Sequence, residues 1–238
     1  MKLTHPYQPF LLRSLHGITG LLLLLAVLSA FWTYNTYDGR WGTIPLPAYN
    51  AIEGIHGTFG LYTLLIFPMF VFYAFNRGKQ RLAQTDSLIT LTHKVGQPDW
   101  WYTLSRCVNT LTLLALTFAL FSGKMMDEKW LPNGELDHFW YYGHLISWLV
   151  IGVAIALHLL MNAKIGGTPF LLSMMTWKFR AQDSPRLWKN HISAWWSNFQ
   201  PNIWLNWRHI LVTRPKLELT IWLSLISAWL ISLSKELI

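Results

Sequence analysis

Residues 17–32 contain no charged side chain, and four further stretches of the chain are nearly as apolar. A helix of about 20 apolar residues crosses the hydrocarbon core of a bilayer. Five segments reach or approach that length: 10–33, 55–75, 104–123, 140–162 and 217–234. Backbone groups in lipid must find their partners within the segment, so such runs are expected to be helices. The fifth run is the shortest. It either spans, with Lys216 and Lys235 reaching to the headgroups, or lies in the interface.

Composition agrees with a membrane chain. Of 238 residues 53% are apolar and 13% charged, against roughly a quarter charged in a soluble domain. Fifteen Trp and nine Tyr suit the two membrane–water boundaries. Lys2 and Arg13 precede the first run as in a secretory signal, but the run is long and ends in Phe31-Trp32-Thr33-Tyr34 without a small-residue cleavage site. It is read as a retained helix.

The basic residues set an orientation. Fifteen Lys and Arg lie in segments 1–15, 76–106 and 163–216, whereas the loops on the other side carry Arg40, Lys124 and Lys129. The excess places the N-terminus in the cytoplasm and, with five spans, the C-terminus outside. The net charge of +8 is thus a property of loops facing anionic lipid. No basic stripe with a recognition motif appears, so nucleic acid is excluded as a partner.

One cysteine, Cys107, rules out an internal disulfide, a C-x-x-C-H haem attachment site and a cysteine-ligated cluster. Segment 163–216 is too long for a turn. Ser184-Pro185 is a helix start, followed by Ile192, Trp195, Trp196 and Phe199 at helical spacing; after Pro201 the pattern resumes with Ile203, Trp207, Ile210 and Leu211. Two amphipathic helices on the cytoplasmic face fit it, and so does a surface for a redox partner protein.

Four histidines fall within the expected spans: His16, His56, His144 and His158. A lone intramembrane histidine often serves only to hydrogen-bond across helices. Jointly these four are harder to dismiss. His144 and His158 are fourteen residues apart, about four turns and roughly 21 Å along one helix face. Helix one runs outward and helices two and four inward, so His16 shares its depth with His158, and His56 with His144. Each pair brings two imidazoles from antiparallel helices to one level, as bis-histidine ligation of a planar macrocycle requires.

Gly17 and Gly20 flank His16, Gly54, Gly57 and Gly60 surround His56, and Gly143 precedes His144. Glycine weakens a helix, so the clusters point either to a flat, bulky neighbour or to ordinary small-residue helix packing. Arg13, one turn before His16, is either a partner for a haem propionate or a positive-inside flank. Zinc and copper usually recruit Cys, Asp or Glu as well, and the spans offer no acidic residue beside the histidines. Two non-covalent haem b groups are the expected cofactors. His93 and Lys94 are polar candidates for a quinone site, though a solvated loop histidine is the simpler reading; His5, His138, His191 and His209 are taken as surface residues.

The residues Arg13-Ser-Leu-His16-Gly, Gly54-Ile-His56-Gly and Gly143-His144 through His158 resemble the prokaryotic cytochrome b561 and nickel-hydrogenase cytochrome b superfamily over about residues 10–162. In the b561 branch the helix-one histidine pairs with the second histidine of helix four, and that of helix two with the first. The fourteen-residue spacing also recurs in the cytochrome b of bc-type complexes. The Trp-rich segment and fifth helix depart from the four-helix b561 pattern and lean towards five-helix hydrogenase-type subunits.

The expected fold is therefore all-α: a four-helix dihaem bundle over 1–162, an interfacial segment over 163–216 and a membrane helix over 217–238. The resemblance implies electron transfer across the membrane, with quinone as the diffusible partner, in a bacterial inner membrane or a thylakoid. Two rivals stand beside it. One is a haem-bearing anchor subunit of a larger oxidoreductase. The other is a cofactor-free transporter or scaffold, against which the lack of intramembrane Asp, Glu and Lys, apart from Glu218 at the edge of the fifth run, counts.

Overall fold

The computed structural model of the chain describes residues 7–126, 130–199 and 216–237. Among these, every regular element is helical. Five helices are long and apolar enough to cross a membrane: α1 (Phe10–Tyr37), α2 (Ile52–Asn76), α4 (Pro98–Met125), α6 (Phe139–Ser173) and α8 (Lys216–Leu237). Between them lie the short helices α3 (Ser87–His93) and α5 (Trp130–Asn133), two 3-10 turns at Lys79–Arg81 and Ala181–Asp183, and the amphipathic α7 (Pro185–Phe199).

All five apolar runs become helices, each longer than its apolar stretch. The third begins at Pro98, because proline needs no hydrogen-bond acceptor in a first turn and the polar residues after it reach beyond hydrocarbon. The 76–106 connection is not a plain loop: it contains a 3-10 turn and α3. Helix α6 starts where the His138 ring accepts the Trp140 N–H (3.3 Å) and is broken at Gly167. That residue takes φ 63°, a left-handed conformation suited to glycine, and Pro169 follows. Helix α7 starts at Pro185 as expected; the second amphipathic stretch, 203–211, lies outside the described residues.

The helices form two antiparallel hairpins. α1 packs along α2 and α4 along α6, whereas the hairpins meet each other sparsely, α1 against α6 and α2 against α4. α8 packs on α4 and, less extensively, on α2. The main core lies there, among Leu64, Phe67 and Val71 of α2, Leu113, Leu116 and Leu120 of α4, and Ile221, Leu225 and Ala228 of α8. Several hydroxyls within the spans bond back to their own helix, as Thr63 to Phe59 O (2.7 Å) and Thr117 to Leu113 O (2.7 Å), which meets their donors in the apolar interior. Outward faces stay apolar and exposed, with Leu21, Leu28, Met69, Val153, Leu160 and Leu230 among them, the surface a helix offers to lipid.

At the end of the bundle where α1 begins, the chain is clasped. Arg13 is buried and donates to the carbonyls of Thr176 and Lys178 (2.8 Å to the latter) and to the Thr176 hydroxyl (2.8 Å). The Tyr7 hydroxyl donates to Asp183, and Phe10 packs on Trp177, Phe179 and Trp188. Arg81 donates to Gln8 Oε1 (2.6 Å), tying the connection after α2 to the same end.

Candidate functional site

The sparse contact between the hairpins is where the four histidines meet. The rings of His16 (α1) and His158 (α6) lie 6.0 Å apart between centres, with planes inclined by 30°. Those of His56 (α2) and His144 (α6) lie 5.9 Å apart, inclined by 69°. Both pairs cross from one hairpin to the other, and both use α6. The pairing by depth drawn from the sequence is the pairing found in space.

The separation is informative. Two imidazoles on opposite sides of a first-row metal, with bonds of about 2.0–2.1 Å, have ring centres about 6 Å apart. Imidazoles in direct hydrogen-bonded contact need not hold that spacing. The ring planes rotate freely about the shared axis, so inclinations of 30° and 69° are equally compatible with such ligation.

The rings are aimed by their other nitrogen. His56 Nδ1 faces Ala26 O (3.1 Å) and Ser29 Oγ (3.3 Å), and His144 Nδ1 faces Ala119 O (3.0 Å) and Ser122 Oγ (3.1 Å). In both hairpins an Ala and a Ser three residues later, on the partner helix, receive the ring. A carbonyl only accepts, so Nδ1 carries the proton and Nε2 keeps the lone pair a metal needs. His158 Nδ1 faces Asn109 Oδ1 (2.9 Å), while Asn109 Nδ2 donates to Arg81 O (2.9 Å). That second bond fixes the amide's orientation and gives His158 the same tautomer. His158 Nε2 meets Asn162 Nδ2 (3.1 Å), a bond that metal ligation would exchange for coordination. His16 sits edge-on to Phe70, 5.9 Å between ring centres, and no hydrogen bond to its ring is found among the described residues.

The glycines distinguish the two readings left open for them. A Cβ built on Gly17, Gly20, Gly54, Gly57 or Gly60 would meet no other side chain or neighbouring backbone within 4 Å, so no helix packs closely there. Gly123 and Gly143 differ: a Cβ would press on the His144 ring (3.2 Å) and on Phe118 (3.3 Å). Arg13 has spent its terminal nitrogens on the clasp, leaving Nε buried without a partner. Among the described residues no three His, Cys, Asp or Glu gather as a metal cluster. Each site is thus a two-nitrogen donor set beside open space, which suits a metal whose equatorial ligands come with it in a macrocycle.

Ser29, Ser122, Asn109 and Asn162 carry the site's support and were not singled out in the sequence. The available signal was a polar side chain inside an apolar span, weak for serine, which bonds to its own helix, and stronger for the two asparagines. His93 ends α3 on the exposed surface, apart from both pairs; His5 and His209 fall outside the described residues.

No curated protein and no solved structure matches the chain. Residues 7–178 match the family described as prokaryotic cytochrome b561. The match takes in both histidine pairs, the helices that hold them and the Arg13 clasp. The chain therefore belongs to the prokaryotic cytochrome b561 family, and it is a membrane b-type cytochrome of electron transfer.

Proposed function

We propose that this chain holds two haem b groups between its hairpins, one ligated by His16 and His158 and the other by His56 and His144, and moves electrons across the membrane between them. The observation that carries the reading is the pair of 6.0 and 5.9 Å ring separations, each bridging the hairpins at a different depth. When bound, haem would supply a one-electron iron couple, and the four histidines are the residues that would hold it.

The chain's part is to hold and to insulate. Ala26, Ser29, Ala119, Ser122 and Asn109 fix the ring tautomers; Gly17, Gly20, Gly54, Gly57 and Gly60 leave room beside the ligands. The buried Arg13 Nε, without a partner and one turn before His16, is the polar atom offered to a propionate. The exposed apolar faces contact lipid, and membrane quinone is the electron partner the family implies. In a bacterial inner membrane the His16/His158 pair lies towards the cytoplasm, where α7 offers a surface to a redox partner protein.

The test is a dithionite-reduced minus oxidised spectrum of the detergent-purified protein with a pyridine haemochrome count. Two b-type haems per chain, falling to one on His16→Ala or His56→Ala, are expected. One haem per chain, or loss of both from either single variant, contradicts the paired reading. A colourless protein from haem-replete cells contradicts it altogether.

A further inference from the structure

The two histidine pairs are not supported alike. Both histidines of the His56/His144 pair give their Nδ1–H to a backbone carbonyl, at 3.1 and 3.0 Å, with a serine hydroxyl beside each. In the His16/His158 pair, among the described residues, His158 alone has a partner at Nδ1, and that partner is a side-chain amide, Asn109 Oδ1 at 2.9 Å. Asn109 is itself held: its Nδ2 donates to the Arg81 carbonyl, and the Arg81 guanidinium reaches Gln8. The acceptor found for this pair among the described residues is thus carried by α4 and oriented by the connection after α2.

A hydrogen bond from the far nitrogen makes a ligating imidazole a stronger donor and stabilises the oxidised metal. Two such bonds to carbonyls act at one pair, one to an amide at the other. Charge works in the same direction. Arg13 is one turn from His16, and Arg81 lies at the same end; neighbouring positive charge favours the form with the extra electron.

We propose that Asn109 is a positioning residue for the His16/His158 centre, and that the unequal support makes the His56/His144 centre the lower-potential of the two. The inference rests on the bis-histidine reading above. Asn109 touches His158 alone of the four ligands, so its effect is confined to one centre.

Potentiometric titration of the haem absorbance tests it, with His56→Ala and His16→Ala used to leave one centre at a time. The centre remaining in His56→Ala should have the higher midpoint. In that background Asn109→Leu removes the acceptor and should raise the midpoint, whereas Asn109→Asp supplies a stronger acceptor and should lower it. The expected size is about tenfold in the reduction equilibrium, 59 mV for one electron. Neither change should move the midpoint in the His16→Ala background. Opposite signs from two substitutions at one position separate positioning from general damage, and the Asp variant keeps the test available where Leu impairs folding. An unmoved midpoint in both variants, an effect on the other centre, or a lower midpoint for His16/His158 overturns the inference. If the wild type binds fewer than two haems, the underlying reading fails instead, and the haemochrome count reports that independently.

Discussion

Gly20 and Gly60 each lie one turn from a histidine on the same helix face, His16 and His56 respectively, with nothing within 4 Å of a Cβ built there. A leucine at either position would therefore place its Cβ in open space in the protein itself. It would fill the space beside the ligand and would also improve the helix, since glycine is the weakest helix former after proline. If a macrocycle occupies that space, Gly20→Leu should remove the His16/His158 haem and Gly60→Leu the other, each leaving a folded chain of normal yield with half the haem absorbance. Full haem content in both variants would mean that these faces look onto lipid. Arg13 gives a second residue-scale expectation. It donates to the Thr176 and Lys178 carbonyls from a buried position, so Arg13→Ala leaves those acceptors to find other donors. Hydrogen bonds to charged groups contribute about 1.5–3 kcal/mol, and a loss of that order should appear as a lower midpoint in denaturant unfolding of the detergent-solubilised protein.

The elements divide into those that hold ligands and those that support. α4 carries no histidine, yet it presents Ala119 and Ser122 to His144 and Asn109 to His158. No described hydrogen bond or ring contact links α8 to either pair; it packs on α4 and α2 through Ile221, Leu225 and Ala228, all nearly inaccessible. Ending the chain after residue 215 should therefore keep both haem absorbances while lowering the thermal midpoint of their loss; disappearance of either spectrum would show that α8 helps shape a site. The difference between α4 and α6 also explains what could be read in advance. His144 and His158 stand out against apolar neighbours, and helix direction alone assigns their depths, so both partners followed from the sequence. Ser29 and Ser122 do not stand out, because serine in a span usually bonds to its own helix, as Ser29 does to Leu25 O (2.8 Å). Their contacts with ring nitrogens depend on how α1 rotates against α2, and α4 against α6, which a single run of residues does not specify. The Arg13 clasp was hidden for a related reason: its acceptors are carbonyls 163 and 165 residues away, and a backbone carbonyl has no sequence signature.

At the scale of the molecule, the clasped end and the opposite end differ in charge as well as in structure. Arg13, Arg77, Lys79, Arg81, Lys94, Arg106, Lys164, Lys178, Arg180, Arg186 and Lys189 all lie at or near the clasped end among the described residues. The opposite end holds Arg40, Lys124 and Lys235, and there Arg40 is already engaged by Asp38 (2.7 Å) and stacked over Tyr142 (5.0 Å). Lysine and arginine in short loops resist translocation, so the clasped end should remain in the cytoplasm. The matching experiment inserts a reporter that is active only outside the inner membrane, in turn at residue 45, at residue 95 and after residue 238. Activity at 45 and 238 with none at 95 is expected for five spans and a cytoplasmic N-terminus. The reverse pattern would turn the molecule over and put the His16/His158 pair at the outer surface. Activity at 45 alone would keep the orientation but take α8 out of the membrane, leaving its Ile221, Leu225 and Ala228 stripe to pack on α4 from a re-entrant position.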